Sequence, residues 1–287
     1  MFHKTLVVCF LYTSIFISSL LYSKEDFLYV CCIFKNEARF LDEWINFHLH
    51  QGADKIYMYN NGSEDDYEKV IQDYIVDDKV ILIDWNYTYS SIQEWNSLQC
   101  KAYMDCIKRV KEKVKWVAFI DTDEFLFSPT GKTLRKIIKE YRHYDAIGAN
   151  WVMYGSSNIT QLENSEKLTD KMVFRAPLDY SLHNHIKTIV RPEKVLDCVN
   201  PHFFIMTKNS KSVDENKEET SGPFSKINSV KKLRINHYWA RDLDFLFGEK
   251  LRRQSEWVNR TKEDLMEADK KINLEFDPIL KNFEEFH

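Results

Sequence analysis

The chain has 287 residues, 44% of them hydrophobic, which is material for one large α/β domain or two small ones with a buried core. Forty basic against forty-four acidic residues leave a formal charge of −4, mixed along the chain, so the clustered basic surplus of an electrostatic nucleic-acid binder is absent. Only seven glycines occur, none closer together than Gly148 and Gly155, which removes the glycine cradles of Rossmann, P-loop and kinase nucleotide sites.

Leu6–Tyr22 carries no charge; His3 and Lys4 precede it and Lys24, Glu25 and Asp26 follow. Its length is near the lower limit for a bilayer span and long for a signal-peptide core. The weak basic bias predicts an N-in orientation, with the body on the lumenal or outer side. Residues 1–23 therefore read as a single-pass anchor, or a signal segment if cleaved, and 24–287 as the globular domain.

Phe27–Phe34 is a continuous apolar run, the pattern of a strand buried on both faces. Glu37–Gln51 carries Leu41, Trp44, Ile45, His48 and Leu49 at helical spacing and stops at Gly52. Lys55–Tyr59 predicts a second strand, followed by a polar turn from Asn60 to Ser63. Asp66–Tyr74 reads as a helix and Val80–Ile83 as a third strand. Ser91-Ile-Gln-Glu94 is a capping-box pattern opening a helix that runs to about Lys113. Trp116–Ile120 is a fourth buried strand.

That alternation predicts a mainly parallel sheet with right-handed crossovers, whose ligands sit beyond the carboxyl ends of the strands. Asn60–Asp66 and Asp121-Thr-Asp123-Glu124 fall at two such ends and so on one rim. Ala146–Val152 predicts a further strand. Short runs at Met172–Ala176 and Ile186–Val190 suggest strands of a mixed extension. Thr207–Gly222 lacks large apolar residues and reads as a solvated loop. Leu233–Tyr238 reads as a short strand and Asp242–Val258 as a helical stripe. The six cysteines lack zinc-like spacing and read as buried thiols, with Cys31 and Cys32 on opposite strand faces. His183 and His185 read as solvated residues at a strand edge.

An Asp-x-Asp at the end of a buried strand suits a hard divalent cation, which prefers carboxylate oxygens and keeps positions open for phosphates. Asp242-Leu-Asp244 has the same spacing but the more ordinary reading of a first helical turn. The preceding WVAFI strand is what raises Asp121-Thr-Asp123.

Asp121-Thr-Asp-Glu-Phe125 after an apolar strand resembles the D-x-D-E-F of glycosyltransferase family 92 and related GT-A glycosyltransferases. Further blocks are similar to that family over roughly Phe27–Arg253: Lys35-Asn-Glu-Ala38 with Glu43-Trp44-Ile45, Tyr59-Asn-Asn-Gly-Ser63 with Asp65, Tyr154-Gly-Ser-Ser157, Lys187–Pro192 and Ile235-Asn-His-Tyr238. The resemblance implies a GT-A-type α/β fold, with a mainly parallel central sheet, flanking helices and a mixed C-terminal extension. It implies Mn²⁺ or Mg²⁺ ligated by Asp123, with Asp121 at the ribose or metal shell and His237 completing the metal or diphosphate coordination. Glu37, the Asn60 turn and Asp65 would line the nucleotide-sugar site, and Lys187 would contact the diphosphate. Two positions depart from the family: Asn60 stands where aspartate is usual, and Trp239-Ala-Arg241-Asp242 follows His237-Tyr238 where Lys-Ser is common.

The implied activity is metal-dependent transfer of a sugar, by default galactose, from a UDP-sugar to a glycan or glycoconjugate acceptor with inversion. Inversion needs a carboxylate base; Asp179 is the catalytic candidate, with Glu163 beside it. No nucleic-acid partner is expected. The N-terminal segment implies a membrane location, facing the Golgi or ER lumen in a eukaryote or the cell envelope in a bacterium. Two other readings stay open: a haloacid-dehalogenase-like phosphatase with Asp121 as nucleophile, and a GT-A-like domain that binds glycans without transferring them. Four N-x-S/T sequons occur, at Asn61, Asn86, Asn158 and Asn259. Asn61 belongs to the expected site and should not carry a glycan.

Overall fold

Nine strands join into one sheet because the apolar runs of the first half are buried on both faces by helices. The computed structural model describes residues 26–283. The expected anchor Leu6–Tyr22 and Cys9 lie outside the described residues. Among those described, no helix is long and apolar enough to cross a membrane.

The first half alternates β1 (Asp26–Phe34), α1 (Ala38–His50), β2 (Lys55–Asn60), α2 (Tyr67–Val76), β3 (Val80–Asp84), α3 (Ile92–Val110) and β4 (Val114–Phe119). There follow β5 (Glu124–Phe127), α4 (Leu134–Ile138), β6 (Ala146–Met153), α5 (Leu168–Lys171), β7 (Phe174–Arg175) and β8 (Ile186–Val190). The last part holds β9 (Val195–Asn200), β10 (Phe203–Met206), β11 (Ser212–Val213), β12 (Arg234–His237), α6 (Leu243–Phe245), α7 (Leu251–Trp257), α8 (Lys262–Lys271) and β13 (Glu275–Phe276). The main sheet runs β3-β2-β1-β4-β8-β6-β12-β5, with β11 added beside β6. β3, β2, β1 and β4 are parallel; β8 is antiparallel to β4 and β6, and β5 is antiparallel to β12. This is the mainly parallel α/β architecture, with flanking helices and a mixed C-terminal part, that a GT-A-type transferase calls for.

Alternation along β1 divides the core. Val30 and Cys32 pack with Trp44 and Ile45 of α1 on one face, and Cys31 packs with Tyr103 and Cys106 of α3 on the other. All five described cysteines are buried free thiols. Ser91 caps α3 by accepting from the Glu94 amide at 3.2 Å. The reciprocal half of the box is displaced by one residue, since the Glu94 carboxylate accepts from the Ser90 amide at 2.7 Å.

Three local expectations are corrected. Thr207–Gly222 is not a solvated loop: it contributes β11, and Asp214 and Glu215 are buried. These two carboxylates serve the backbone instead of solvent, Glu215 accepting from the amides of Lys231, Lys232 and Leu233 at 2.8, 2.6 and 2.7 Å. Low apolar content there reflects carboxylates that satisfy buried amides. Asp242–Val258 is broken into α6, a π-helical turn at Leu246–Lys250 and α7, with the Asp242 carboxylate capping α6 through the Phe245 amide at 2.8 Å. His183 is buried, not solvated, and its Nε2 accepts from the Met153 amide at 2.9 Å.

Candidate active site

The chain reverses between β4 and β5 through Asp121-Thr122-Asp123-Glu124, and each end of that turn is held from outside. Ile120 donates to the Cys31 carbonyl of β1 at 3.1 Å. The Tyr238 amide, just beyond β12, donates to the Asp123 carbonyl at 2.8 Å. The Trp44 indole of α1 donates to the Glu124 carbonyl at 2.8 Å. The acidic turn therefore sits where parallel strand β1, helix α1 and strand β12 converge, at the expected rim.

Two distinct electrostatic nests share the turn. In the first, Asp121 Oδ1 accepts from Gln99 Nε2 at 2.6 Å and Oδ2 from Lys187 Nζ at 2.8 Å. Glu124 is fully buried; its Oε2 accepts from the Asp121 amide at 2.9 Å and lies 3.7 Å from the Lys187 ammonium. Burial drives the Glu124 carboxyl well above the ordinary range, with Lys187 opposing. Burial pulls the Lys187 ammonium down, but Asp121 and Glu124 outweigh it and leave it raised. Lys187 is only 1% exposed, so it is spent on these carboxylates and not presented to a diphosphate in solvent.

In the second nest, Asp123 Oδ1 lies 3.4 Å from His237 Nε2 and Oδ2 lies 3.5 Å from Lys250 Nζ. Burial opposes ionisation of Asp123, yet His237 and Lys250 together hold its carboxyl well below the usual range. Burial lowers the Lys250 ammonium to about 8 against the pull of Asp123. Lys250 donates to the Trp239 carbonyl and sits 4.6 Å over its ring. Lys250 is the functional-site cation that sequence reasoning missed: it lies on the π-helical turn, where its position in a helical stripe carries no signal.

Glu37, Asn60 and Asp65 build the wall beside this turn. Glu37 pairs with Arg241 and with Arg253, the latter at 3.1 Å. Burial raises its carboxyl while those two guanidinium groups oppose. Arg241 is 1% exposed, at φ +52°, between Phe40 at 4.6 Å and Phe245 at 4.4 Å. Asn60 Oδ1 accepts from the Ser63 amide and its Nδ2 donates to the Tyr67 hydroxyl, both at 2.9 Å, so both ends of the amide are used to shape the turn. Asp65 accepts from the Ala38 amide at the start of α1 at 2.8 Å and lines a cavity of about 550 Å³ with Asn36, Glu64 and Glu249. Asn61 is buried, in keeping with an unglycosylated sequon.

Asp121, Asp123, Lys187 and His237 are thus brought together, with Glu37, Asn60 and Asp65 forming adjacent scaffold. Asp179 and Glu163 stand apart, exposed on loops, and no described hydrogen bond or ion pair joins either side chain to Asp123. Asp121 is a poor nucleophile as placed, since Gln99 and Lys187 hold its two oxygens; this disfavours the phosphatase reading.

For a divalent ion, the donor set is the Asp123 carboxylate and His237 Nε2, a hard oxygen and a borderline nitrogen side by side. Their contacts of 3.4 and 3.5 Å are too long to consume these atoms as hydrogen bonds. Among the described residues no three His, Cys, Asp or Glu side chains converge as a ready cage. The chemistry fits an ion that takes its remaining ligands from a diphosphate and water, the habit of Mg²⁺ and Mn²⁺.

Residues 27–277 match the family model for glycosyltransferase family 92. A family 92 glycosyltransferase from Oryza sativa subsp. japonica is 34% identical over 200 residues, covering 67% of this chain and 32% of that protein. One from Arabidopsis thaliana is 27% identical over 245 residues, covering 80% and 38%. A beta-1,4-galactosyltransferase from Caenorhabditis elegans is 28% identical over 173 residues, covering 56% and 38%. The chain spans less than two fifths of the length of these relatives. Among solved structures, S. aureus TarS 1–349 aligns with TM-score 0.41 and 13% identity over 84% of this chain and 68% of that one.

Proposed function

This chain belongs to glycosyltransferase family 92, and we propose that it transfers a hexose, by default galactose, from a UDP-sugar to a glycan or glycoconjugate hydroxyl. The observation that carries this reading is Asp123: a carboxylate held ionised at the end of a parallel strand, with His237 Nε2 and Lys250 Nζ both aimed at it. Asp123 and His237 would hold Mn²⁺ or Mg²⁺, which supplies neutralisation of the charge on a departing diphosphate.

The chain's own residues do the rest. Lys250 stands beside Asp123, 13% exposed, and adds a cation where leaving-group charge builds. Lys187 and Gln99 fix the direction of the Asp121 carboxylate, which faces the donor as a hydrogen-bond acceptor. The acceptor oxygen attacks the anomeric carbon, the bond to the diphosphate breaks, and the pair of electrons leaves with the diphosphate. The hydroxyl proton passes to a carboxylate base, for which the exposed loop residue Asp179 is the candidate. A lumenal or envelope-facing body behind an N-terminal membrane segment is the matching location.

The test is nucleotide release from UDP-, GDP- and CMP-sugars by purified protein with Mn²⁺. Asp123→Asn should abolish transfer with the circular-dichroism spectrum unchanged, and excess EDTA should silence the natural chain. Full activity in that variant overturns the reading; activity undiminished by EDTA overturns the metal. UDP binding without turnover of any donor would favour the non-catalytic glycan binder.

A further inference from the structure

A ladder of rings leads outward from the acidic turn. The His237 ring, whose Nε2 faces Asp123, lies 4.4 Å from the Trp151 ring. His185 stacks on Trp151 at 4.9 Å and 13°, and Phe224 packs edge-on against His185 at 4.6 Å. Phe224 is 55% exposed and sits in an apolar surface with Leu178, Leu182 and Ile227, which are 47%, 38% and 65% exposed. The patch is not a chance scatter of side chains. The Ser225 amide donates to the Asn184 carbonyl at 2.8 Å and Asn228 Nδ2 to the Leu178 carbonyl at 2.8 Å, so two segments are laced together to form it.

Unused polar groups sit along the same ladder. Trp151 is 9% exposed and its indole nitrogen, fully buried, has no hydrogen-bond partner among the described residues. A buried donor without a partner is destabilising, so it needs an explanation. The Leu182 carbonyl, 3.0 Å from His185 Nδ1, needs a donor there. That fixes the proton on Nδ1 and leaves Nε2 as an acceptor. Burial of His185 keeps its ring neutral.

We propose that Trp151, His185 and Phe224 form a pyranose-binding platform for the acceptor glycan. A pyranose has an apolar face of C–H bonds, which suits the electron-rich faces and rims of aromatic rings, and a girdle of hydroxyls that both donate and accept. The exposed Phe224 ring, backed by the half-buried His185 with its acceptor Nε2 and by the unpartnered Trp151 N–H beneath, matches both requirements. A charged ligand would instead ask for ionic partners, which Trp151, His185, Phe224 and the surrounding Leu178, Leu182 and Ile227 do not offer. The acceptor, and not the donor sugar, is assigned because the ladder starts at His237 and ends on the open surface, where a glycan arriving from solvent lands. This rests on the transferase reading for its place in the reaction, while the sugar-binding claim stands independently.

The experiment is saturation-transfer NMR of methyl glycosides of galactose, glucose, mannose and fucose with the natural chain, with Phe224→Ala and with Trp151→Phe, each with UDP present. Phe224 is half exposed, so its truncation leaves the fold intact. The natural chain should saturate the ring protons of at least one glycoside, and each variant should weaken that binding about 3- to 10-fold, the worth of an aromatic contact, with UDP affinity unchanged in Phe224→Ala. No binding of any glycoside to the natural chain, binding unaltered in Phe224→Ala, or loss of UDP affinity in its place overturns the proposal. Glycoside binding by a chain that turns over no UDP-sugar keeps the platform and removes the transferase. Transfer with acceptor KM unaltered in Phe224→Ala does the reverse.

Discussion

Lys187 places its ammonium 2.8 Å from Asp121 Oδ2 and 3.7 Å from Glu124 Oε2 while only 1% exposed. It is the shared counter-ion of two carboxylates, one of them fully buried. Lys187→Met should destabilise the fold by about 3–5 kcal/mol, the cost of stranding a buried charge, read as a shift of the urea midpoint. Adding Asp121→Asn should recover part of the loss, because the stranded carboxylate charge is gone. Purely additive losses would show that the two groups are not coupled.

Arg241 makes the same argument on the other wall. Its guanidinium lies between Phe40 and Phe245 and pairs with Glu37, which Arg253 also neutralises. Arg241→Met should therefore cost about 3 kcal/mol or more, since Glu37 keeps one cation of two. Arg241→Lys should restore less than half of it: an ammonium lacks the planar face that stacks on both rings. A lysine variant with the natural thermal midpoint would refute the stacking account.

How much of this was legible beforehand divides by range of interaction. Strands β1, β2 and β4, helices α1 and α3 and the placement of Asp121 and Asp123 on one rim follow from local apolar periodicity. Lys250, Gln99 and Arg253 were not legible as site residues, because nothing near them in sequence marks what they face; each acts across 22 residues or more. The acidic residues of 207–222 misled for a related reason. Asp214 and Glu215 look solvated by composition, yet Glu215 satisfies amides of a distant turn and Asp214 those of Asn216 and Glu218 in its own. The family resemblance supplied roles for Glu37 and Asn60, but their side chains turn out to be committed to ion pairs and to a turn.

Gln99 offers a test of positioning. Its amide holds Asp121 Oδ1 at 2.6 Å from within α3, and the residue is 3% exposed. Gln99→Leu keeps the volume and removes the charge-assisted hydrogen bond. The transfer rate should fall about 10- to 100-fold, as expected for about 1.5–3 kcal/mol at a charged group. Gln99→Glu should do worse than leucine, since it sets a second carboxylate against Asp121. Equal rates in all three proteins would mean that Asp121 needs no such restraint.

The acid limit of the fold is set in part by His48. The Trp44 carbonyl, 2.8 Å from Nδ1, requires a donor there, and the Leu126 amide at 3.3 Å requires an acceptor at Nε2. Both demands are met only by the neutral ring carrying its proton on Nδ1. Burial pushes its pKa down to about 3, against about 6.5 in an unfolded chain. Between those values the unfolded state binds a proton that the folded state refuses, so stability is full above pH 6.5 and is lost as the pH falls towards 3. The slope reaches about 1.4 kcal/mol per pH unit. His48→Gln keeps one donor and one acceptor without titrating. It should be less stable than the natural chain at pH 7, with a shallower loss between pH 6.5 and 5, a window above the titration of ordinary carboxylates. Urea midpoints at pH 7, 6 and 5 decide the matter: parallel lines for the two proteins would remove His48 from the account, and converging lines would keep it.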